Sequence, residues 1–364
     1  MIGRFGMIKY GLSGLGGIAR IHLMAIKNMK LAGSDVEVGL EGLYTTSPSY
    51  WKEDLGFKNI TDRFESMLEH VDVVDICTPN FLHKDQIIKS LMAGKHVYCE
   101  KPLAMNSRET EEIIKTLSLY QMKNQIAFML RFMPAVAMAH SIIKQEMIGK
   151  VYAFRGEFFH SSYLDRSKPM SWRLEKSKSG GGALVDLGSH IIDLTLFLLG
   201  DVEEIHSSFR TIVEKRRSGS EERTVDVDDW ALLYVKLKSG SAGTLEASRL
   251  AAGKEGMRFE IYASKGSIFI DTDDPYKARV FDEYSRMIYP SKESLLRDDF
   301  YRFVDQNYPS PKLSSGFMVD AHMTSLIAFF KSLNENIEVP TFEDGHKVQI
   351  IMDKVYSSCK SVKG

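Results

Sequence analysis

The chain has 364 residues, of which 44% are hydrophobic and 26% charged, and its 47 Lys and Arg residues nearly balance 48 Asp and Glu residues. This length exceeds what one hydrophobic core usually serves, so we expect two domains, each large enough to bury a core of its own. The balanced charge argues against a protein that binds nucleic acid or an anionic membrane surface.

Three cysteines, Cys77, Cys99 and Cys359, are too few and too scattered for a disulfide framework or a CxxC metal site. Cys77 and Cys99 lie in apolar runs and are interpreted as packed core thiols. The sequence contains neither a signal-peptide pattern nor a window of about 18 continuous apolar residues. We therefore expect a cytoplasmic protein with no membrane partner.

From Met7 to about residue 130, short apolar runs alternate with amphipathic stretches, as in βαβ units on a parallel sheet. The runs that we assign to strands are IKYGLS, VEVGLEGLY, VDVVDICTP, HVYCEKP and QIAFML. Helices are expected after the first strand, over NFLHKDQIIKSLMAG up to Gly94, and over NSRETEEIIKTL, where Asn106 and Glu109 form a capping pattern. Residues 1–130 are thus predicted to form an α/β Rossmann domain with a doubly wound parallel sheet.

Beyond residue 131 the strands become longer and hairpin-like, which predicts an α+β domain over 131–364 with a large, open, mostly antiparallel sheet. The strand runs are VYAFRGEFF, VEEIHSSFRTI, WALLYVKL, SAGTLEASRL, MRFEIYA and GSIFI, with turn signals at Ser239-Gly240 and Lys265-Gly266. Helices near 183–199, 317–333 and 344–360 are expected to cover one face of the sheet, and the other face is expected to form a homodimer or homotetramer interface. The polar stretch 214–224 is interpreted as a solvated hairpin loop.

A glycine-rich loop follows the first predicted strand, where Gly14, Gly16 and Ala19 match G-x-G-x-x-[GA]. Such residues allow a tight turn, close approach of a pyrophosphate to the backbone, and close packing of helix on strand. With Gly17 and Ile18 they open the first helix, whose N-terminal N–H groups favour phosphate. Because the loop opens the first βα unit, we interpret it as a dinucleotide site rather than a plain turn.

The choice between NAD and NADP is expected to depend on the end of the second strand, where Rossmann folds usually place an acid on the ribose hydroxyls. This position falls at Tyr44 or Thr45, with Thr46 and Ser47 following. The missing carboxylate removes a charge that would repel a 2′-phosphate, so both cofactors stay open. Glu41 would be the acid only if the strand ended early.

Two polar segments follow later strands, at the carboxyl ends where doubly wound folds bind ligands. They are Thr78-Pro79-Asn80-x-x-His83 and Glu100-Lys101-Pro102. A lysine at this edge can donate to a substrate oxygen and stabilise an alkoxide during hydride transfer. Taken alone, Lys101 is better explained as a surface lysine before a proline turn.

A third group consists of Trp172-Arg173 and a later helix that follows three glycines at 180–182. On that helix Asp186 and His190 are four residues apart and Asp193 is three further on, so all three share one face. An imidazole that titrates near neutrality beside a carboxylate suits proton transfer. No third clustered ligand is evident, so no metal is predicted.

These segments, in this order, resemble the Gfo/Idh/MocA oxidoreductases, the glucose-fructose oxidoreductase and inositol dehydrogenase type, over nearly the whole chain. The matching pieces are the glycine loop, TPNFLH, AGKHVYCEKPLA, RFMP, SWR, GGGALVDLGSHIIDL, EASR and ASKG. The resemblance implies a Rossmann domain, and a C-terminal domain whose open sheet often forms a dimer interface. It also implies NAD or NADP as cofactor and a sugar, an inositol or a related polyol as substrate.

The resemblance also implies roles for single residues. Lys101 would contact both the nicotinamide ribose and the substrate, while Asp186 and His190 would bind the substrate, with His190 as acid/base. His160 and Asp193 would lie near the same pocket. The other residues expected along the cofactor are Thr45, Thr46, Thr78, Pro79, Asn80, His83, Glu100, Arg131, Trp172 and Arg173. The sequence departs from the family pattern at Thr45.

The sequence therefore predicts an NAD(P)-dependent dehydrogenase or reductase acting on CH–OH groups, in which His190 takes the hydroxyl proton and Lys101 steadies the oxygen. Two other interpretations stay open: a non-catalytic NAD(P)-binding regulator on the same fold, and an enzyme that uses the nicotinamide transiently to cleave a glycoside. His22, in the first helix, is interpreted as a packed structural histidine.

Overall fold

The computed structural model describes residues 6–47 and 54–358. It divides into two compact units, and the first combines Met1–Phe132 with Asn307–Lys347. The second combines Met133–Gln306 with Val348–Gly364. The chain thus returns to the first unit late in its sequence. The sequence analysis placed one domain boundary between residues 130 and 131 and did not include this return.

Six parallel strands form the sheet of the first unit, in the order β3-β2-β1-β4-β5-β6. They are β1 (Ile8–Ser13), β2 (Val38–Tyr44), β3 (Asn59–Thr61), β4 (Val73–Ile76), β5 (His96–Cys99) and β6 (Asn124–Ile126). The predicted doubly wound sheet is confirmed. The strand order reverses between β1 and β4, which is where Rossmann folds open a crevice for a dinucleotide.

Helices connect the strands of both units and are numbered in chain order. They are α1 (Gly17–Met29), α2 (Phe64–Leu68), α3 (His83–Met92), α4 (Ser107–Tyr120), α5 (Pro134–Lys144), α6 (Lys176–Ser179), α7 (Ser189–Leu199), α8 (Lys292–Leu295), α9 (Asp299–Asn307), α10 (Phe317–Ser332) and α11 (Phe342–Ser358). The predicted cap of α4 is confirmed, because the Asn106 side chain accepts the Glu109 N–H at 3.0 Å.

The late segment of the first unit, Asn307–Lys347, covers an apolar side of α1 and the open edge of β6. Helix α10 packs against α1. At the sheet edge, the Ile126 N–H of β6 donates to the Pro340 carbonyl at 2.9 Å, and the Phe342 N–H donates to the Asn124 side chain at 2.7 Å. An edge strand is thereby covered by a neighbouring segment.

The second unit contains an eight-stranded sheet in the order β16-β15-β14-β13-β7-β12-β11-β8 and a two-stranded ribbon of β9 and β10. The strands are β7 (Val151–Phe159), β8 (Val202–Arg210), β9 (Lys215–Ser218), β10 (Glu221–Thr224), β11 (Trp230–Leu237), β12 (Ala242–Ser248), β13 (Gly256–Ala263), β14 (Gly266–Asp271), β15 (Asp274–Asp282) and β16 (Met287–Ile288). Only β7 and β12 pair in parallel; the other neighbours are antiparallel. The predicted open, mostly antiparallel sheet is confirmed.

One face of this sheet is buried and the other is partly exposed. Strand β13 alternates, with Met257, Phe259 and Ile261 fully buried and the residues between them partly accessible. Helices α5 and α7 pack on the buried side. On the sheet, Tyr152 and Tyr234 are exposed aromatic residues.

Two sequence expectations for these elements were wrong. The run QIAFML is a strand only to Ile126, and a 3-10 turn over Met129–Phe132 follows it. The helix Phe317–Ser332 belongs to the first unit, where it packs against α1, and not to the second unit. The stretch 214–224 forms the hairpin that the sequence predicts, because β9 and β10 pair and most of its residues are exposed, although the Arg216 side chain is buried.

One segment has the length and composition of a membrane span. Lys176–Leu199 has a mean hydropathy of 1.6 in its most apolar window, but 78% of that window is buried inside the protein. Gly180 also interrupts it with a left-handed backbone (φ +80°). Burial on this scale is typical of a core helix.

Candidate active site

The glycine loop after β1 has one glycine that the fold itself requires and one that it does not. Gly14 has a φ of +92°, and a Cβ there would lie 3.0 Å from the Cys77 carbonyl oxygen. Gly16 has an ordinary φ of −75°, and a Cβ added to it meets no atom within 4 Å. The open surface at Gly16 adjoins the N-terminus of α1, so it fits close approach by a pyrophosphate.

The end of β2 carries the residues expected to face the adenosine ribose. The strand runs through Tyr44, and the buried Thr45 accepts the Ser47 N–H with its hydroxyl at 3.3 Å. Glu41 lies inside the strand, and its Oε1 is 2.7 Å from the Lys58 ammonium. Because the strand does not end early, the condition under which Glu41 would bind the ribose is not met.

Side chains after β4 tie neighbouring strand ends together. The Ser13 and Thr78 hydroxyls both donate to Gln86 Oε1 at 2.9 Å. The two ring nitrogens of His83 lie 2.8 Å from the Pro102 carbonyl oxygen and 2.9 Å from that of Thr78. Burial lowers the pKa of His83, so at neutral pH the ring carries one proton and donates to one of these carbonyls.

Lys101 is the second residue after β5 and is partly exposed. Glu100 is buried, and its Oε2 accepts the Lys101 backbone N–H at 3.1 Å. Burial raises the pKa of Glu100, but His22, His322 and Lys101 outweigh burial and bring it to about 2. Glu100 is therefore ionised at neutral pH, and its carboxylate is bonded to the backbone of the candidate catalytic lysine.

Arg131 and the Trp172-Arg173 pair were expected along the cofactor. Arg131 is buried in the first unit, with its guanidinium 3.6 Å from the Asp344 carboxylate and near the Phe128 ring. Trp172 and Arg173 form a short 3-10 turn in the second unit, where the Arg173 guanidinium lies 4.3 Å from the Trp172 ring centre. Their contacts with a cofactor stay a prediction.

The segment that leads into α7 is held by Asp228. Its carboxylate accepts the N–H groups of Gly182 and Leu184 at 2.9 and 2.8 Å, and the Tyr356 hydroxyl at 2.6 Å. A Cβ on Gly182 would lie 1.8 Å from the Asp228 carbonyl oxygen. Only glycine therefore fits at this position.

Asp186 lies in a π-helical turn, Leu184–Gly188, and not in a regular α-helix as the sequence spacing assumed. Such turns are often found at functional sites. Asp186 pairs with the buried Arg249 guanidinium at 3.0 Å. His190 follows on α7, nearly fully buried, with its ring 5.7 Å from that of Phe158.

The remaining two candidates of the second unit differ in exposure. His160 follows β7, is partly exposed, and has its Nδ1 3.6 Å from Glu255. Asp193 is buried within α7. Their roles at a substrate stay predictions.

Residues 8–128 match the model of an oxidoreductase family with an NAD-binding Rossmann fold, and residues 136–269 match the GFO/IDH/MocA C-terminal domain. The chain is 31% identical over 328 residues to the levoglucosan dehydrogenase of Pseudarthrobacter phenanthrenivorans, an alignment that covers 83% of this chain and 82% of the relative. This chain belongs to the GFO/IDH/MocA oxidoreductases.

Two further relatives support the assignment. The glucose-6-phosphate 3-dehydrogenase of Bacillus subtilis is 27% identical over 359 residues, covering 96% of both chains. A solved levoglucosan dehydrogenase in complex with NADH and levoglucosan has a TM-score of 0.88 at 29% identity, covering 97% of both chains. The family resemblance and the NAD(P)-dependent oxidoreductase chemistry predicted from the motifs are confirmed.

Within this GFO/IDH/MocA member, sequence reasoning missed three side chains that hold the candidate residues in place. They are Gln86, Asp228 and Arg249. Arg249 is part of the EASR motif, one of the pieces on which the family resemblance rests, so the sequence did contain a signal for Arg249. Gln86 and Asp228 were not singled out by any motif. All three side chains have partners at least 46 residues away in sequence, which local patterns do not reveal.

Two groups of side chains among the described residues have the composition and spacing of a metal site. They are His22, Glu100 and His322, and His22, Asp75 and Cys77, all buried in the first unit. They share His22, so they form one ionisable cluster. The prediction that no metal is bound stays a prediction.

Proposed function

We propose that this protein transfers hydride between NAD(P) and the CH–OH carbon of a sugar, an inositol or a related polyol. The observation that carries the proposal is the position of Lys101. It lies partly exposed at the carboxyl edge of the parallel sheet whose β1–α1 loop is open at Gly16. A cation at that edge stabilises the oxygen of a substrate whose carbon gains or loses hydride.

The roles follow from the chemistry of each side chain. A bound nicotinamide supplies the hydride acceptor or donor. Lys101 donates to the substrate oxygen and stabilises its developing negative charge. His190 takes the hydroxyl proton on oxidation and returns it on reduction, and Asp186, held by Arg249, binds the substrate beside it.

The test uses levoglucosan, glucose 6-phosphate and myo-inositol with NAD⁺ and NADP⁺, followed by the absorbance of the reduced cofactor. With whichever substrate turns over, Lys101→Met and His190→Ala are each expected to lower kcat by about 10²-fold, the usual size of an acid/base contribution. Matched controls are Lys115→Met and His206→Ala, because both side chains are exposed. Near wild-type rates in either site variant would refute the roles.

The same assay separates the two rival functions. A regulator would bind cofactor without turnover. A glycoside-cleaving enzyme would release sugar without net formation of reduced cofactor. Reduced cofactor formed in proportion to oxidised polyol supports the dehydrogenase.

Lys101 and His190 must act on one carbon for this mechanism to hold. A double-mutant cycle measures that dependence directly. If both residues serve one transition state, the double variant should lose far less than the product of the two single losses. Fully multiplicative losses would contradict the shared role.

We further propose that Thr45 and Thr46 leave the ribose site open to both NAD and NADP. A carboxylate at this position would repel a 2′-phosphate. Thr45→Asp is therefore expected to weaken NADPH binding about tenfold or more while NADH binding changes little. Equal effects on NADH and NADPH binding would show that other residues determine the cofactor preference.

The second unit's sheet is proposed to carry a homodimer or homotetramer contact in a cytoplasmic enzyme. Support comes from Tyr152 and Tyr234, exposed aromatic residues on β7 and β11. Sedimentation of the wild type and of Tyr152→Lys and Tyr234→Lys tests this. A monomeric wild type would reject the contact.

A further inference from the structure

Three elements of the first unit bring a histidine between two carboxylates. His22 comes from α1, Asp75 from β4 and Glu100 from the residue after β5. His22 Nδ1 lies 2.8 Å from Asp75 Oδ2, and His22 Nε2 lies 3.1 Å from Glu100 Oε1. All three side chains are buried. Since ionised carboxylates only accept hydrogen bonds, the ring satisfies both only when both nitrogens carry a proton.

The surroundings favour that doubly protonated ring. Burial lowers the pKa of His22, but the Asp75 carboxylate outweighs burial and holds the pKa well above its ordinary value. Asp75 is itself held by neighbours, since it accepts the Tyr10 hydroxyl at 2.5 Å and the Cys77 thiol at 3.4 Å. The imidazolium is thus fixed at its Asp75 end.

The chain of contacts continues past Glu100 to the candidate catalytic lysine. Glu100 Oε2 accepts the Lys101 N–H at 3.1 Å, while the Pro102 carbonyl lies 2.8 Å from His83. Pro102 has no N–H to donate, whereas the Lys101 amide beside it donates to Glu100.

We propose that His22 and Asp75 are positioning residues for Lys101: Asp75 orients the His22 ring, His22 fixes Glu100, and Glu100 fixes the Lys101 backbone. This inference rests on the proposed role of Lys101. It changes the sequence interpretation of His22, which becomes a link to the site as well as a packed core residue.

Two variants remove one charge each and keep the side-chain shape: Asp75→Asn and Glu100→Gln. The matched control is Tyr98→Phe, which removes a buried hydroxyl 2.8 Å from Ser325 in the same core and leaves Glu100 untouched. Melting temperature is measured for every variant. His22→Gln is added for comparison, and the conclusions rest on the two shape-conserving variants if it fails to fold.

Two readouts are taken on the full chain. Hydrogen–deuterium exchange at the Lys101 amide is expected to accelerate about tenfold or more in both charge variants and to stay unchanged in Tyr98→Phe. With levoglucosan or myo-inositol as substrate, kcat is expected to fall about tenfold or more, a larger change than that in NADH affinity. A purely structural role would move melting temperature without this separation.

The proposal is overturned if neither variant changes Lys101 exchange, or if Tyr98→Phe changes it equally. It is also overturned if the purified protein holds a divalent metal in stoichiometric amount, because a cation between His22, Glu100 and His322 would replace the proton. If the wild type oxidises none of the polyols, the proposed function fails, while the exchange data still decide the positioning role.

Discussion

The ion pair between Asp186 and Arg249 is expected to respond unequally to loss of its two partners. The Arg249 side chain is 2% exposed and that of Asp186 is 30% exposed. Burial lowers the pKa of Arg249, but Asp186, with smaller contributions from Tyr163 and Asp228, raises it above its ordinary value. The guanidinium therefore depends on its carboxylate more than the carboxylate depends on it.

The size of the asymmetry follows from solvent access. Removing one partner of a buried pair costs about 3–5 kcal/mol when the remaining charge stays buried, so Asp186→Asn should lower the free energy of unfolding by about 3 kcal/mol. Arg249→Met leaves a carboxylate that water reaches and keeps most of the buried stem, so its cost should be about 1 kcal/mol.

The assay is urea unfolding followed by tryptophan fluorescence, since Trp172 and Trp230 both lie in the second unit. Lys238→Met is the control, because its ion pair with Asp201 at 2.9 Å is exposed and should contribute less than about 1 kcal/mol. An equal or larger loss in Arg249→Met than in Asp186→Asn would refute the reasoning.

Three further predictions concern the loop, the helix start and acid stability. Gly16→Ala should keep the melting temperature, because the added Cβ contacts no other atom of the protein. It should weaken NADH binding about tenfold or more in calorimetric titration, because the Cβ would occupy the open surface assigned to the pyrophosphate. Unchanged affinity would contradict that assignment. Gly182→Ala should prevent folding, because the added Cβ would overlap the Asp228 carbonyl oxygen. Circular dichroism measures this, and a native spectrum would show that the segment can shift. Burial raises the pKa of Glu100 and of Asp298, but their cationic neighbours bring both to about 2. The stability that the two carboxylates give is therefore present above about pH 4.5 and is lost as the pH falls towards 2. Glu100→Gln and Asp298→Asn should each make the free energy of unfolding depend less steeply on pH in this acid range, and an unchanged dependence would contradict these pKa values.

Local patterns predicted the elements whose signals are local. The glycine loop, the Asn106 cap and the strand MRFEIYA each depend on residues within one turn or one strand. The doubly wound parallel sheet followed from the alternation of short apolar runs with amphipathic stretches, whereas the order of its strands was not predicted.

The failures have a different physical origin. Helix α10 is buried nearly all round, from Val319 to Phe330, so it shows no polar face from which its packing partner could be predicted. The π turn that contains Asp186 carries no sequence signature that sets it apart from an α-helix. The partner of Asp186 is Arg249, 63 residues away, and only the fold reveals such pairs.

The late return of the chain to the first unit has a consequence for biosynthesis. A nascent chain that has emerged only to Phe132 holds all six strands of the parallel sheet but lacks α10 and the segment at Pro340. The apolar side of α1 and the edge of β6 then stay open until the ribosome has also made α10 and the segment at Pro340. Open strand edges of this kind can pair with other molecules, so a fragment ending at Phe132 should aggregate. We therefore expect the nascent chain to bind a chaperone until the edge is covered.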